Sequence, residues 1–212
     1  MFNIYSNIYV YILEYPGMLF KIIKNISVIT TIKIISIYTY IQYKKKSQSK
    51  LNIILDLDET IIHTDKINNI ENYNRTNISN TETIIIPSTN RVVWIRPFVR
   101  TLLPIMSEFN NLYLFTKATK PYADTVLEKS DLDKYFMIKK YRDECHGTCK
   151  DITKFNILVE NSILIDDKIA NRCDGQNFYH IPRFNCYVKN DFEFFKLFGW
   201  ILWLNILRDI KK

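Results

Sequence analysis

Two aspartates that follow an apolar run are the first side chains in the sequence with an evident capacity for chemistry. In LNIILDLDETIIHT, residues 51–64, Asp56 and Asp58 stand one residue apart and Thr60 follows them. One carboxylate can act as a nucleophile, while a second carboxyl group nearby can donate and accept a proton. A single Asp-x-Asp is weak evidence, because loops often begin with Asp. Its weight depends on the residues at the ends of the other strands.

Two later apolar segments also end on polar side chains. LYLF is followed by Thr116, and ILI is followed by Asp166 and Asp167. If the strands are parallel, their carboxyl ends meet at one edge of the sheet, where α/β proteins bind their ligands. We therefore expect these three residues to lie close to Asp56 and Asp58 in one site.

Such a group of side chains is suited to phosphoryl transfer through an aspartyl-phosphate. Like charges raise each other's pKa, so the carboxylates require a counter-charge. A divalent cation such as Mg²⁺, which prefers oxygen ligands, meets that requirement. A fixed lysine can hold phosphoryl oxygens, and Lys150 in CKDI lies between the second and third strand ends. The predicted catalytic set is Asp56, Asp58 and Lys150, with Mg²⁺ as the cofactor.

The elements that would position these groups alternate between strand and helix. Short apolar runs predict buried strands, and an apolar stripe after Pro97 predicts a helix that Pro104 should kink. The predicted order is strand 51–57, loop 65–81, β-hairpin 83–95, helix from Pro97, strand 112–115, helix from Pro121 to about Lys129, strand 163–165, strand 178–181 and helix 191–210. This alternation predicts a three-layer α/β fold with a mostly parallel central sheet.

The net charge of the chain is unevenly placed. The 212 residues suffice for one ordinary domain. Residues 1–50 contain seven Lys and one Glu, which account for +6 of the net charge of +7. The remainder is close to neutral and lacks the broad basic face of a nucleic-acid-binding protein. We therefore expect no direct contact with nucleic acid.

Residues 1–50 are predicted to form an apolar and basic leader that ends in a charged linker, YKKKSQSK at 43–50. The stretch 25–43 has the length of a membrane span and is followed by three lysines. Lys33 at its centre costs about 2.5–3.5 kcal/mol on insertion scales, and its polar residues do not share one helical face. Membrane association through residues 1–43 and a poorly packed leader both remain open.

The four cysteines, at positions 145, 149, 173 and 186, form no Cys-x-x-Cys motif, and no secretory signal pattern is evident. We expect them to be reduced and the protein to be intracellular. Cys145 and Cys149 flank His146 and could hint at a metal ion. A pair of thiols is the better interpretation, because the other histidines are distant in sequence.

LDLDETIIHT resembles the first motif of the FCP/SCP-type phosphatases of the haloacid dehalogenase superfamily, which remove phosphate from the RNA polymerase II C-terminal domain and other Ser/Thr phosphoproteins. The similarity continues through WIRPFVRTLL, LYLFTKATKPYAD, KKYRDEC, CKDI, SILIDD and NFYHIPRF, over roughly residues 51–208. It implies a phosphatase domain at 51–212 with a haloacid-dehalogenase-like Rossmannoid sheet, a small β-hairpin insertion and a reduced cap. The helix at 191–210 would then pack on the sheet rather than span a membrane.

The resemblance also implies a role for each charged residue that matches. Asp56 would be the nucleophile and a Mg²⁺ ligand. Asp58 would be the general acid and base, and its backbone carbonyl would also reach the metal. Lys150 would stabilise the phosphorylated intermediate. Asp167 would be a further Mg²⁺ ligand, with Asp166 beside it in the metal site orienting water or the lysine.

The two threonines would contribute to substrate binding, Thr60 by supporting the turn and Thr116 by binding phosphate oxygens. Three positions depart from the family pattern. Phe98 stands where the family usually has Gly after Arg-Pro, Lys117 lies within the family's FTAS, and Lys168 follows the Asp pair where the family has Ser. The segment between Cys145 and Lys150 is also shorter than usual for the family, which has a small sheet around this place that helps to bind the substrate peptide. These departures put the polymerase-tail substrate in question.

The leading hypothesis is a Mg²⁺-dependent protein Ser/Thr phosphatase that acts on a phosphopeptide, as a monomer in the nucleus or cytoplasm, free or membrane-associated. The alternative is a non-catalytic, membrane-anchored binding module of the same fold, similar to preprotein-translocase receptors. The intact Asp-x-Asp-x-Thr argues against this alternative, while the apolar leader and Lys168 keep it open. A small-molecule or nucleic-acid-end phosphatase is disfavoured only mildly. The biased composition suggests a large DNA virus or an intracellular parasite as the source.

Overall fold

The computed structural model describes residues 28–46, 50–67, 82–145, 147–188 and 190–210. The chain divides into two compact units, Met1–Ser47 and Gln48–Lys212. In the first unit, helix α1 (Val28–Lys46) covers most of the candidate membrane segment and the first residues of the predicted linker. Within the described ranges, no helix combines the length and the apolar character needed to cross a membrane.

The second unit contains eight described strands and three described α-helices. In chain order they are β1 (Leu51–Leu55), β2 (Ile62–Lys66), β3 (Thr83–Ile86), β4 (Arg91–Ile95), α2 (Val99–Phe109), β5 (Asn110–Phe115), α3 (Lys120–Lys129), β6 (Ile138–Lys140), β7 (Ser162–Asp166), β8 (Asn177–His180) and α4 (Glu193–Ile210). The alternation of strand and helix confirms the predicted α/β class.

The central sheet has five strands in the order β6-β5-β1-β7-β8, and all neighbouring pairs are parallel. The three inner strands β5, β1 and β7 are buried on both faces, which explains why they read as largely apolar runs. Ile54 of β1 packs in a cluster with Phe115 and Phe155 on one face. Its neighbours Ile53 and Leu55 point to the opposite face and are fully buried as well. Strand β1 is therefore the centre of the core.

A small antiparallel sheet, in the order β2-β4-β3, is inserted between β1 and α2. Its β3 and β4 form the predicted hairpin, and Asn90 ends the connecting turn with a left-handed φ of 52°. The prediction of a loop from residue 65 is wrong for Asp65 and Lys66, which pair with β4. Their strand is polar and its partner follows much later in the chain, so no local pattern marks it. Residues 68–81 of that predicted loop lie outside the described residues.

Helix α2 begins at Val99, two residues after the predicted start, because Phe98 adopts a left-handed conformation with a φ of 70°. This is the position where the family resemblance implies Gly, which adopts such a conformation without steric cost. Here the Phe98 ring packs against Phe192 and Phe195, with ring centroids 5.6 and 5.8 Å apart. Pro104 lies inside α2, and its kink stays a prediction.

Two of the four cysteines form a disulfide, so the prediction of reduced thiols is wrong for Cys149 and Cys173. Their Cα atoms are 5.2 Å apart. The neighbouring residues Lys150 and Arg172 form an isolated parallel bridge that brings the two loops together. The cysteines are 24 positions apart, so no local spacing indicates the pair. Cys145, which lies close to Cys149 in the sequence, is free.

Candidate active site

One cavity of about 500 Å³ opens at the carboxyl ends of the central strands. Asp56 follows β1, Thr116 follows β5, and both line this cavity together with Asp58 and Lys150. Asp166 is the last residue of β7, the other neighbour of β1. Because parallel strands end at the same edge, groups that are far apart in the sequence lie side by side here.

Lys150 is fully buried between two carboxylates. Its Nζ donates to Asp56 Oδ1 at 2.5 Å and to Asp166 Oδ2 at 2.6 Å. Asp166 is fully buried too, and its carboxylate also accepts the amide of Asn171 at 2.9 Å. Buried charges persist only when paired and hydrogen-bonded, and this chain of contacts meets that condition.

The backbone around Lys150 is held as firmly as its side chain. Its N–H donates to Asn171 O at 2.7 Å, and Gln176 Nε2 donates to its carbonyl at 3.0 Å. The disulfide from Cys149 to Cys173 joins the same two loops. Neither Asn171 nor Gln176 could be identified from the sequence, since neither lies at the end of a predicted strand.

Three carboxylates lie close enough together to hold a cation. One oxygen each from Asp56, Asp166 and Asp167 lie within 4.8 Å of one another. Asp167 Oδ1 is buried without a hydrogen-bond partner among the described residues. Lys150 pairs with Asp56 and Asp166, and the described residues form no salt bridge with Asp167. An unpartnered carboxylate oxygen and this arrangement of charges fit a divalent cation with oxygen ligands, such as Mg²⁺.

The pKa values of these groups reflect their burial. Burial raises the pKa of Asp56, and the ion pair with Lys150 opposes this rise. Burial and the neighbouring Asp166 raise the pKa of Asp167. Burial alone would lower the pKa of Lys150, but Asp56 and Asp166 outweigh it, so the pKa is raised and the lysine is charged. The two carboxylates therefore keep Lys150 in its charged form.

Asp58 is held by a side chain that the sequence alone does not identify. The hydroxyl of Tyr122 donates to Asp58 Oδ1 at 2.7 Å and lies 3.0 Å from Thr64 Oγ1. Burial raises the pKa of Asp58, and the hydrogen bond from Tyr122 lowers it. The sequence does place this tyrosine near the site: it lies in TKPYAD, in the first turn of α3, shortly after the end of β5.

Both predicted threonines are buried in the site. Thr60 Oγ1 donates to Asp56 Oδ2 at 3.4 Å, at the limit for a hydrogen bond. Its carbonyl accepts from Arg96 Nη1 at 2.9 Å, which ties the turn to the start of the segment before α2. Thr116 Oγ1 accepts the N–H of Ala118 at 3.0 Å and so fixes the loop after β5.

The protein is thus a parallel α/β protein with carboxylates and a buried lysine at the carboxyl ends of its strands. A solved structure of the fission yeast RNA polymerase II CTD phosphatase Fcp1, bound to beryllium fluoride, has this fold, with a TM-score of 0.54 and 19% identity. The match covers 81% of this chain and 54% of that chain. The sequence pattern of the NLI interacting factor-like phosphatases matches residues 51–210, and the chain belongs to that family. The family recognised from the sequence is thereby confirmed.

Curated relatives match over a shorter stretch. Nuclear envelope morphology protein 1 of Schizosaccharomyces pombe is 29% identical over 126 residues, which are 56% of this chain and 25% of the relative. Carboxy-terminal domain RNA polymerase II polypeptide A small phosphatase 2 of Homo sapiens is 28% identical over 138 residues, 59% of this chain and 46% of the relative. The chain thus spans between a quarter and a half of the length of these two relatives.

Proposed function

We propose that this chain is a Mg²⁺-dependent protein Ser/Thr phosphatase that works through an aspartyl-phosphate on Asp56. The observation that carries the proposal is the contact of a buried carboxylate at the end of the central strand with a buried lysine, beside a second carboxyl group in the same cavity. Family membership supports the phosphatase activity. The name of the human relative supports a phosphoprotein substrate.

The reaction would proceed in two steps that both use Asp58. In the first, a carboxylate oxygen of Asp56 attacks phosphorus, the bond from phosphorus to the seryl or threonyl oxygen breaks, and Asp58 gives its proton to that oxygen. In the second, water attacks the phosphorus of the aspartyl-phosphate and Asp58 takes a proton from it. The bond to Asp56 breaks and inorganic phosphate leaves.

The remaining groups would stabilise charge. Lys150 would offer its ammonium to the phosphorylated carboxylate, and Thr116 would offer its hydroxyl to phosphoryl oxygens. Asp56, Asp166 and Asp167 would hold Mg²⁺, with the backbone carbonyl of Asp58 as a further ligand. When bound, Mg²⁺ supplies positive charge to the oxygens of the transferred group.

Hydrolysis of an aryl phosphate by the full chain tests the activity, with Mg²⁺ or with a chelator. We expect Asp56→Asn to lose roughly 1000-fold or more in kcat, as other enzymes do without their nucleophile. The matched control is Asp131→Asn, which changes an exposed carboxylate that pairs with Lys134 and should act like wild type. A hydroxylamine-labile phosphate on wild type, absent from Asp56→Asn, would support the intermediate. A folded wild-type chain without turnover would instead favour the non-catalytic binding module.

Metal binding can be measured separately from turnover. Mg²⁺ that binds only the folded chain should raise the thermal unfolding midpoint as its concentration rises. Asp167→Asn should remove most of this rise, because it takes away an unpartnered carboxylate oxygen. A midpoint that does not respond to Mg²⁺ in wild type would contradict the metal assignment.

The remaining proposals concern the setting of the enzyme. An intracellular location, nuclear or cytoplasmic, is supported by the name of the fission yeast relative, a nuclear envelope morphology protein. Membrane association through residues 1–43, a monomeric state and a viral or parasitic source stay predictions. Fractionation of the full chain and its mass in solution would test the first two.

A further inference from the structure

The cavity contains more positive charge than one phosphoryl group requires. Besides Lys150, four basic side chains line it, which we name the cationic rim: Arg91, Lys117, Arg142 and Lys168. The carboxylates that line the same cavity are Asp56 and Asp58. Lys150 is already engaged by two carboxylates, so the charge of the rim is additional to it.

Three of the four rim side chains contact neutral groups. Lys117 Nζ donates to Thr148 O at 2.7 Å, and Arg142 Nε donates to Lys117 O at 2.8 Å. The guanidinium carbon of Arg91 lies 5.9 Å from the centroid of the Tyr122 ring. Within the described ranges, no rim side chain forms a salt bridge with a carboxylate. Arg91 and Lys168 also interact electrostatically with Asp58 and Asp167. The charges of Lys117 and Arg142, which neutral carbonyl groups restrain, are therefore the ones most available to a ligand.

The rim residues come from separate parts of the chain around the mouth of the cavity. Arg91 begins β4 of the inserted sheet, Lys117 follows β5, Arg142 follows β6, and Lys168 follows β7. The proposed phosphoryl position is deeper, at Asp56, where Lys150 and the proposed metal site supply positive charge. A rim outside that position can contact parts of the substrate that flank the phosphoryl group.

We propose that the cationic rim is a second anion subsite, and that the substrate is a phosphopeptide with a further phosphorylated or acidic side chain next to the phosphoryl group that is removed. This inference rests on the proposed phosphatase function. A peptide is favoured because the rim is spread over four loops and strand ends of an open cavity of about 500 Å³. Opposite charges at contact distance near a protein surface attract each other strongly enough to select among peptides.

Three phosphoserine peptides of one length test the inference, with neutral neighbours, with neighbouring glutamates, or with a second phosphoserine. For the full wild-type chain we expect kcat/KM to be about tenfold higher for the doubly phosphorylated peptide than for the neutral one, with the glutamate peptide between them. The ratio should fall as salt is added, because exposed charges are screened. Equal kcat/KM for all three peptides would overturn the inference. So would a preference for inositol 1,4-bisphosphate over every peptide, since that points to a lipid headgroup.

The double variant Lys117→Gln with Arg142→Gln identifies the rim as the cause, because neither side chain contacts Asp58 or Tyr122 among the described residues. It should reduce the peptide preference to about twofold or less while aryl phosphate turnover stays near that of wild type. The matched control is Lys129→Gln, which removes an exposed lysine at the end of α3, outside the cavity, and should keep the full preference. Retention of the preference in the double variant would overturn the assignment. If wild type hydrolyses aryl phosphate without any peptide preference, this inference alone fails; without aryl phosphate turnover, the proposed function itself fails.

Discussion

Replacing Tyr122 with Phe removes one hydroxyl from the wall of the cavity and tests how Asp58 is held. That hydroxyl donates to Asp58 Oδ1 at 2.7 Å and lies 3.0 Å from Thr64 Oγ1. Phenylalanine keeps the ring beside the Arg91 guanidinium, which lies 5.9 Å from the ring centroid. The substitution therefore removes the donor to Asp58 and leaves the apolar contacts in place.

The expected effect follows from the strength of that hydrogen bond. A hydrogen bond to an ionised group contributes about 1.5–3 kcal/mol, and each ~1.4 kcal/mol is a factor of ten in rate. We therefore expect Tyr122→Phe to lower kcat roughly 10-fold to 100-fold. The hydrogen bond also lowers the pKa of Asp58, which burial raises. Its loss should raise this pKa further. Because the proposed mechanism requires an ionised Asp58 to take the proton from water, the acidic limb of the pH–rate profile should move to higher pH.

The assay is the pH dependence of kcat for an aryl phosphate with saturating Mg²⁺, from the acidic to the neutral range. Tyr135→Phe is the matched control, because its ring lies beside Lys134 and does not line the cavity. Thermal unfolding should show that both variants are folded, with a modest loss of stability in Tyr122→Phe because one hydrogen bond is lost.

A folded Tyr122→Phe variant with wild-type kcat and an unmoved acidic limb would refute the reasoning. Asp58 would then be positioned by its own backbone alone. A loss of kcat without any movement of the limb would refute only the electrostatic part, and would leave Tyr122 as a geometric support.

Three further predictions concern stability. Cys149→Ser should lower the free energy of unfolding by about 3 kcal/mol, because the bond to Cys173 closes a loop of 24 positions; urea unfolding should show that reductant weakens wild type and leaves the variant unchanged. Arg96→Met should cost about 3–5 kcal/mol by the same measurement, because it leaves Asp191 buried without its ion pair of 3.0 Å, whereas an apolar replacement of both partners should recover most of the loss. Asp58→Asn should abolish turnover yet stabilise the fold at neutral pH. The folded state binds the proton of Asp58 more tightly than the unfolded chain does, so ionisation of Asp58 opposes folding once the pH exceeds the ordinary pKa of 3.8. The stability gained by Asp58→Asn should therefore vanish in acid. An Asp58→Asn variant less stable than wild type at neutral pH would contradict this reasoning.

The central sheet and the convergence of its strand ends could be predicted, because both follow from the pattern of apolar residues along the chain and from the parallel topology. Strand β1 is apolar at every position but Asn52, as a strand buried on both faces must be, and the parallel arrangement brings Asp56 beside Asp166. Predicted element boundaries differ from the structure by only a few residues where proline or an apolar run marks them. The helix at α3 begins at Lys120, one residue before Pro121.

The features that could not be predicted from the sequence depend on partners far away in the chain. Strand β6 (Ile138–Lys140) is three residues long and mostly polar, and only its pairing with β5 makes it a strand. The disulfide depends on the approach of two loops, and the role of Tyr122 depends on the direction in which α3 packs. Phe98 conflicts with its own backbone preference, and its contacts with two other rings offset that conflict.

The catalytic set and the cationic rim are built by different means, and this difference bears on how each can change. Lys150 and Asp166 are fully buried and fixed by several hydrogen bonds, so a substitution there leaves a charge without a partner in the interior. Lys117 and Lys168 sit on loops at the mouth, where a changed side chain can be solvated. Both are also departures from the family pattern. On the proposed function, changes in these loops would therefore alter which phosphopeptide is accepted, while the buried carboxylates and lysine would keep one chemistry.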